Sequence, residues 1–426
     1  MSRRALSALC LAIALVLFPL NARAEEPAAT CPDLPGRLGP FELTSADGKS
    51  SIELGIAAQL LLKFESKDSG PGNDRQNTGG LEIRRLRETL SGTFLDRNLS
   101  YYMHLSTAPG SLEMMDVYLN YAASPDIQIR AGQLKIPFTR YRIGSYKNLT
   151  FADWAIVTKY FGAERQRGFA IHNGFERPPK VEYELGLMMG QNVRASHGIG
   201  IATIFGETPP NPSDLVDPAP AELPHLEPVL HIAYNHGGID TSTDTDWEGG
   251  PIRFSAGLGL AWDTRPTDYL DQYVRLAPEF LLKVRGFSLF GIYYLSTREK
   301  NQSMVDTSIA MVGGLVQASY LLHRRVEISG RYAFVSIDDE TANDARDRAG
   351  FIILQESDEE KKAALEKQHK NAGAFEREQE LTFGVNVYIT GRSLKWQNDV
   401  SLLMHDTTND ERLGDWRFRS QIGLAF

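Results

Sequence analysis

Seven cationic side chains fall between Lys135 and Arg167: Lys135, Arg140, Arg142, Lys147, Lys159, Arg165 and Arg167. Only Asp153 and Glu164 oppose them, in a chain whose net charge is −9. Such a basic stretch in an acidic chain attracts anions, most strongly where low-dielectric walls exclude water. Upstream, Arg84-Arg85-Leu86-Arg87 forms a second cationic set, and Asp116 stands on a third segment. Arginine's planar fork matches the oxygen pair of a carboxylate or phosphate. One carboxylate among such arginines could orient them, or keep a bound anion from being held too tightly.

The residues for other chemistry are sparse. Two cysteines, Cys10 and Cys31, cannot make a cysteine-type metal site, and the pattern calls for no metal and no cofactor. His104 and His172 show no visible pairing with a serine nucleophile, although such a pair would be spatial and need not be local. The charge balance gives no sign of nucleic-acid binding.

The elements that must position these residues show a two-residue period. At the C-terminus Trp416, Phe418, Ile422, Leu424 and Phe426 share one parity, while Asp415, Arg417, Arg419 and Gln421 share the other. The pattern recurs in Leu381–Thr390, in Val326–Phe334 and in Ile52–Phe64. Candidate strands lie near 51–65, 81–95, 97–108, 112–123, 126–136, 166–176, 180–191, 227–237, 251–262, 270–285, 286–299, 309–323, 324–337, 378–390, 393–405 and 414–426. An even set of this kind predicts an all-β fold, a closed antiparallel transmembrane β-barrel of about 16 strands. Lipid cannot satisfy a free strand edge, so the sheet must join its own ends.

Residues 1–24 read as a cleaved secretory signal: Arg3 and Arg4, an apolar run, then Ala22-Arg23-Ala24. Loss of its three arginines would take the net charge from −9 to −12. Residues 25–50 are expected to be a periplasmic leader, irregular over the proline-rich Pro27–Pro40, and 51–426 the barrel. Residues 192–226 and 238–250 read as extracellular loops. Arg194 to Arg253 encloses no lysine or arginine but nine acids (Glu207, Asp214, Asp217, Glu222, Glu227, Asp240, Asp244, Asp246 and Glu248), which predicts an acidic outer rim. A short polar helix is expected within 356–378.

Parity then assigns faces. On the second strand Leu86, Leu90 and Phe94 should face lipid, putting Arg85, Arg87, Thr89 and Ser91 inside, because an arginine facing lipid at mid-membrane costs about 2 to 4 kcal/mol. Arg84 and Glu88 would fall on the outer parity. On the fourth strand Met115, Val117, Leu119 and Tyr121 should face outward, with Asp116, Tyr118 and Asn120 inside. The basic connection follows the fifth strand, the place of the third long loop, where an inward fold would narrow the lumen.

Several of these motifs, taken together, resemble the phosphate-selective porins of the bacterial outer membrane, the O and P porins. They are Phe41-Glu42-Leu43 with Asp47-Gly48-Lys49, Arg84-Arg85-Leu86-Arg87, and Asp116-Val117-Tyr118-Leu119. Gly132-Gln133-Leu134-Lys135-Ile136-Pro137-Phe138, the most specific of them, is followed by Leu149-Thr150-Phe151, Arg165-Gln166-Arg167-Gly168, Glu380–Asn386 and the final Phe426. The resemblance implies a 16-stranded barrel, a homotrimer with one pore per subunit, and recognition of the C-terminal strand by the barrel assembly machinery. It also implies passive diffusion of small anions, phosphate or polyphosphate, past Arg84, Arg85, Arg87, Asp116, Arg165 and Arg167. Lys135, Arg140, Arg142 and Lys147 join them from the basic connection, whose surface alternative is contact with lipopolysaccharide phosphates. A weakly selective general diffusion porin is the close rival, and an outer-membrane barrel enzyme such as a phospholipase the distant one.

Overall fold

The computed structural model describes residues 41–70, 72, 74–107, 112–161, 165–174, 178–189, 226–264, 273–298, 309–337, 359, 362, 375–407 and 412–426. The expected signal and the Pro27–Pro40 segment lie outside these residues, as do nearly all of 192–226 and most of 356–378.

A short strand β1 (Phe41–Thr44) leads into sixteen long ones. These are β2 (Ser51–Lys67), β3 (Gln76–Phe94), β4 (Asp96–Ser106), β5 (Glu113–Ser124), β6 (Ile127–Lys135), β7 (Arg165–His172), β8 (Val181–Met188) and β9 (Glu227–His236). The second half comprises β10 (Arg253–Asp263), β11 (Tyr273–Val284), β12 (Phe287–Arg298), β13 (Ile309–Leu322), β14 (Val326–Ile337), β15 (Phe375–Thr390), β16 (Leu394–Thr407) and β17 (Arg412–Ala425). Each pairs antiparallel with its sequence neighbour, and β17 pairs with β2 to close the barrel. Every predicted strand segment falls on one of β2–β17.

Closure is sealed at the C-terminus. The Phe426 and Ile56 backbones exchange hydrogen bonds of 3.0 and 2.9 Å. Where β17 ends, β1 takes over, pairing Phe41–Thr44 with Ser51–Leu54 of β2. Its hairpin turns at Gly48 (φ +64°), braced by the Ser45 hydroxyl donating to Asp47 Oδ1 at 2.6 Å.

The outer face is a belt of exposed apolar side chains, among them Leu60, Phe64, Phe383, Ile389, Trp416 and Ile422. A surface of that kind is stable against hydrocarbon and not against water. Connections alternate in length around the rim. Tight turns such as Arg285-Gly286, both at positive φ as a two-residue hairpin requires, join strands at one end. Long loops join them at the other. In transmembrane barrels the short turns are periplasmic and the long loops extracellular.

Two bulges change the predicted faces. Between β2 and β3 the register passes from Gln59↔Arg85 to Leu60↔Ile83, so Arg84 is an inserted residue. Ile83 and Leu86 therefore both face outward, and Arg84 turns inward with Arg85, correcting its predicted outer parity. Between β4 and β5 the inserted residue is Met115, which is buried and does not face outward.

Residues 237–252 join β9 to β10 at the short-turn end, so they are not the extracellular loop expected of them. The predicted acidic rim is corrected with them. Glu227 is a buried residue of β9, and Asp240, Asp244, Asp246 and Glu248 sit at the opposite end. Glu207, Asp214, Asp217 and Glu222 lie outside the described residues. Of the expected 356–378 helix, Glu359 and Lys362 are helical, and β15 already begins at Phe375.

Candidate permeation site

The connection from Ile136 to Phe161, here L3, folds into the lumen through helix α1 (Arg140–Ile143), a 3-10 turn (Tyr146–Asn148) and helix α2 (Val157–Phe161). Its apolar side chains bury against the wall. Tyr141 stacks on Phe290 at 5.4 Å between centroids, and Phe161 on Tyr294 at 5.0 Å. Small inward residues make room for it. A Cβ on Gly259 would meet the Phe138 carbonyl oxygen at 1.9 Å, and one on Gly313 would meet the Phe161 ring at 2.4 Å.

A buried irregular backbone must still satisfy its polar groups, and wall side chains do this. Carboxylates accept from L3 amides: Glu279 from Arg140 N at 3.0 Å, Asp399 from Ala152 N at 3.0 Å, Glu380 from Ile156 N at 2.8 Å. L3 carbonyls accept in turn. Lys395 Nζ donates to Leu149 O at 3.0 Å, Asn386 to Thr150 O at 2.7 Å, and Arg331 to Asp153 O at 3.1 Å.

These contacts fill the β10–β16 half of the lumen. On the β2–β9 side a cavity of about 340 Å³ stays open between L3 and the wall. Arg87, Arg130, Lys135, Arg140 and Lys147 line it, with the carboxylates Asp116, Glu182 and Glu184. Tyr102 and Tyr118 stack on its wall at 5.2 Å, and the Arg130 guanidinium lies 4.8 Å from the Tyr118 centroid. From L3, Tyr146 and Lys147 complete it. Burial pushes the Tyr146 hydroxyl up to about 12 and lowers the Lys147 ammonium, the latter against the pull of Glu53.

The residues singled out in the sequence meet different fates. Arg84 and Arg85 each reach Asp153 of L3 at 2.7 Å. Burial alone would raise the Asp153 carboxyl, but Arg85 and Arg84 outweigh it and hold the group well below the usual carboxylate range. Asp116 is clamped between Arg165 (Nε 2.8 Å, Nη2 3.0 Å) and His104 Nδ1 at 2.8 Å. Arg140 bonds Glu182 at 3.2 Å and approaches Glu279 at 3.7 Å. Lys135 Nζ donates to the carbonyls of Ile143 and Gly144, at 3.0 and 2.8 Å. Arg142 lies 4.9 Å over the Trp154 ring.

Arg167 does not join them. It shares the exposed outer parity of Phe169 and Ile171 on β7, so its side chain is directed away from the lumen. The pore-lining role expected of it is corrected on that ground. Glu88, left unexplained by parity, accepts from the Thr107 hydroxyl at 2.6 Å.

Sequence reasoning passed over Glu182, Glu184, Tyr102, Arg130 and Asp153 as site residues. The first two were readable in Val181-Glu182-Tyr183-Glu184-Leu185, whose acids share one parity. The seat of L3 was readable in Phe287–Arg298, where Phe290, Ile292 and Tyr294 break the alternation with an apolar inner face.

Neither a protein-family model nor a curated protein sequence matches the chain. Solved structures do match it in fold. The outer membrane channel DcaP of Acinetobacter baumannii superposes with a TM-score of 0.53 at 12% identity, covering 91% of this chain and 100% of that one. An anion-selective porin from Comamonas acidovorans gives 0.53 at 12%, over 88% and 100%. OprB of Pseudomonas putida gives 0.54 at 10%, over 89% and 95%. The chain has the 16-stranded outer-membrane porin fold. At such identities the likeness concerns the fold, and the solute must be argued from the lumen.

Proposed function

We propose that this protein is an outer-membrane diffusion channel with a modest preference for small anions, phosphate among them. The observation that carries this reading is the open β2–β9 side of the lumen, where five cations face three carboxylates around the 340 Å³ cavity. An excess of fixed positive charge in a narrow, low-dielectric passage concentrates anions and repels cations. Conduction also requires release. The two arginine sets most suited to holding phosphate already bind carboxylates, Arg84 and Arg85 on Asp153 and Arg165 on Asp116. A phosphate group passing them competes with those carboxylates, so moderate sites in series are expected in place of a deep trap.

The remaining parts follow the same reading: export with a cleaved leader of residues 1–24, insertion through the C-terminal strand by the assembly machinery, and a homotrimer in lipid and lipopolysaccharide. A weakly selective general channel is the second reading, favoured by Glu182 and Glu184 inside the cavity. Swelling of liposomes containing the purified protein separates these from an enzyme. Uncharged sugars small enough for the cavity should enter, and gluconate should enter faster than a cationic solute of equal size. No swelling with any solute would refute the channel, and equal rates would favour the second reading.

A further inference from the structure

The connection between β9 and β10 sits among tight turns, yet it runs for sixteen residues and turns inward. Ile239, Thr241, Thr243, Thr245 and Asp246 are buried. A solvated surface turn would leave such side chains in water. Glycines at both ends, Gly237 and Gly238 (φ +73° and +68°) and Gly249 and Gly250 (φ +64° and +89°), let the chain double back into the barrel.

Once inside, the segment is fastened to the wall beneath L3. Asp246 accepts from Arg253 at 2.6 Å and from the Gly286 amide at 2.8 Å. Gln317 donates to Asp244 Oδ2 at 2.7 Å, and Trp247 meets the Tyr388 ring edge-on at 4.5 Å. At its upper edge Asn148 of L3 donates to the Ser242 carbonyl at 2.9 Å. Thr241 and Ser242 line the same cavity as Lys147; Ser242 is exposed, and its hydroxyl donates to Asp240 Oδ1 at 2.6 Å.

We propose that Ile239–Glu248 is a second constriction, entering from the short-turn end, which closes the cavity from below and sets the width of the exit. L3 occupies the β10–β16 half of the lumen from the long-loop end, and this segment occupies the same half from the short-turn end. Solutes are thereby confined to the β2–β9 wall and must pass Thr241 and Ser242. The inference rests on the channel reading above.

Single-channel conductance of the full-length protein in a planar bilayer tests both, distinguishably. Deleting Ile239–Glu248, so that Gly238 joins Gly249, should raise conductance about twofold or more, because current follows the narrowest cross-section. The largest sugar admitted by liposomes should grow with it. Ser242→Trp, a change at an exposed position that gives up the hydroxyl's bond to Asp240 but none of the contacts to the wall or L3, should lower conductance by about half or more. If Ser242→Trp conducts as wild type does, the constriction is overturned, whether or not the deletion variant folds. If the wild-type protein itself passes no current, the channel reading fails first.

Discussion

Replacing Asp153 with asparagine should release two lumenal arginines and sharpen anion preference. Arg84 and Arg85 each lie 2.7 Å from its carboxylate, with Arg84 about two-fifths exposed toward the lumen. The change adds one net positive charge where L3 meets the inner face of β3. At roughly 10 Å from a passing ion, one unit charge acts with about 0.4 kcal/mol in bulk water and about 0.8 kcal/mol at an intermediate dielectric of ~40. Chloride partitioning should therefore rise by about two- to fourfold, and potassium should fall by the same factor. The chloride-to-potassium permeability ratio should then grow at least about fourfold in dilute salt. L3 should stay seated, since Glu279, Asp399 and Glu380 still accept from its backbone. Reversal potentials across a salt gradient read the ratio directly. Raising the salt toward 1 M, where the screening length falls to ~3 Å, should shrink the effect. An unchanged ratio at low salt would mean that the Arg84-Arg85 pair does not face the ion path, and the electrostatic argument would fail.

Further outcomes follow from the same contacts. Arg140→Gln with Arg142→Gln should weaken chloride preference, and Arg140→Gln alone should loosen L3 by about 2 to 4 kcal/mol because Glu182 and Glu279 stay buried; protease resistance equal to wild type would count against that anchor. Arg167→Glu should leave selectivity unchanged, and a shifted reversal potential would return Arg167 to the lumen. Burial pushes the Asp244 carboxyl up to about 6, with Gln317 and Lys283 opposing. The folded protein therefore holds a proton that the unfolded chain has lost, so this group's stabilising contribution is full below about pH 4 and is lost as pH rises through about 6. Asp244→Asn should accordingly raise the unfolding free energy read from urea titration in detergent at pH 7.5, by an amount on the order of 2 to 3 kcal/mol, and not at pH 4. An equal gain at both pH values would refute the titration.

The barrel was legible because its signal is local. Alternation such as Leu381-Thr382-Phe383-Gly384-Val385 writes one face for lipid and one for the lumen, and each predicted segment lies on a strand. The site was less legible, for identifiable reasons. An inserted residue such as Arg84 shifts parity without altering composition, and only the spacing of Ile83 and Leu86 betrays it. The partners of Arg85, Arg140 and Arg165 come from L3, β8 and β5, so their neutralisation depends on pairings far apart in sequence. Counting cations along Lys135–Arg167 could show a basic stretch but not which charges remain for a solute. The side of 237–252 was a different matter. Strand direction assigns it to the short-turn end, whereas its length and its Gly, Asp and Thr content suggested the other.

The most direct test of the account is the reversal potential of the wild-type protein in a planar bilayer under a potassium chloride gradient. A potential of the sign that favours chloride, together with a chloride current that falls partially and reversibly when phosphate is added, is the predicted result. A preference for potassium, or a chloride current indifferent to phosphate, would contradict it.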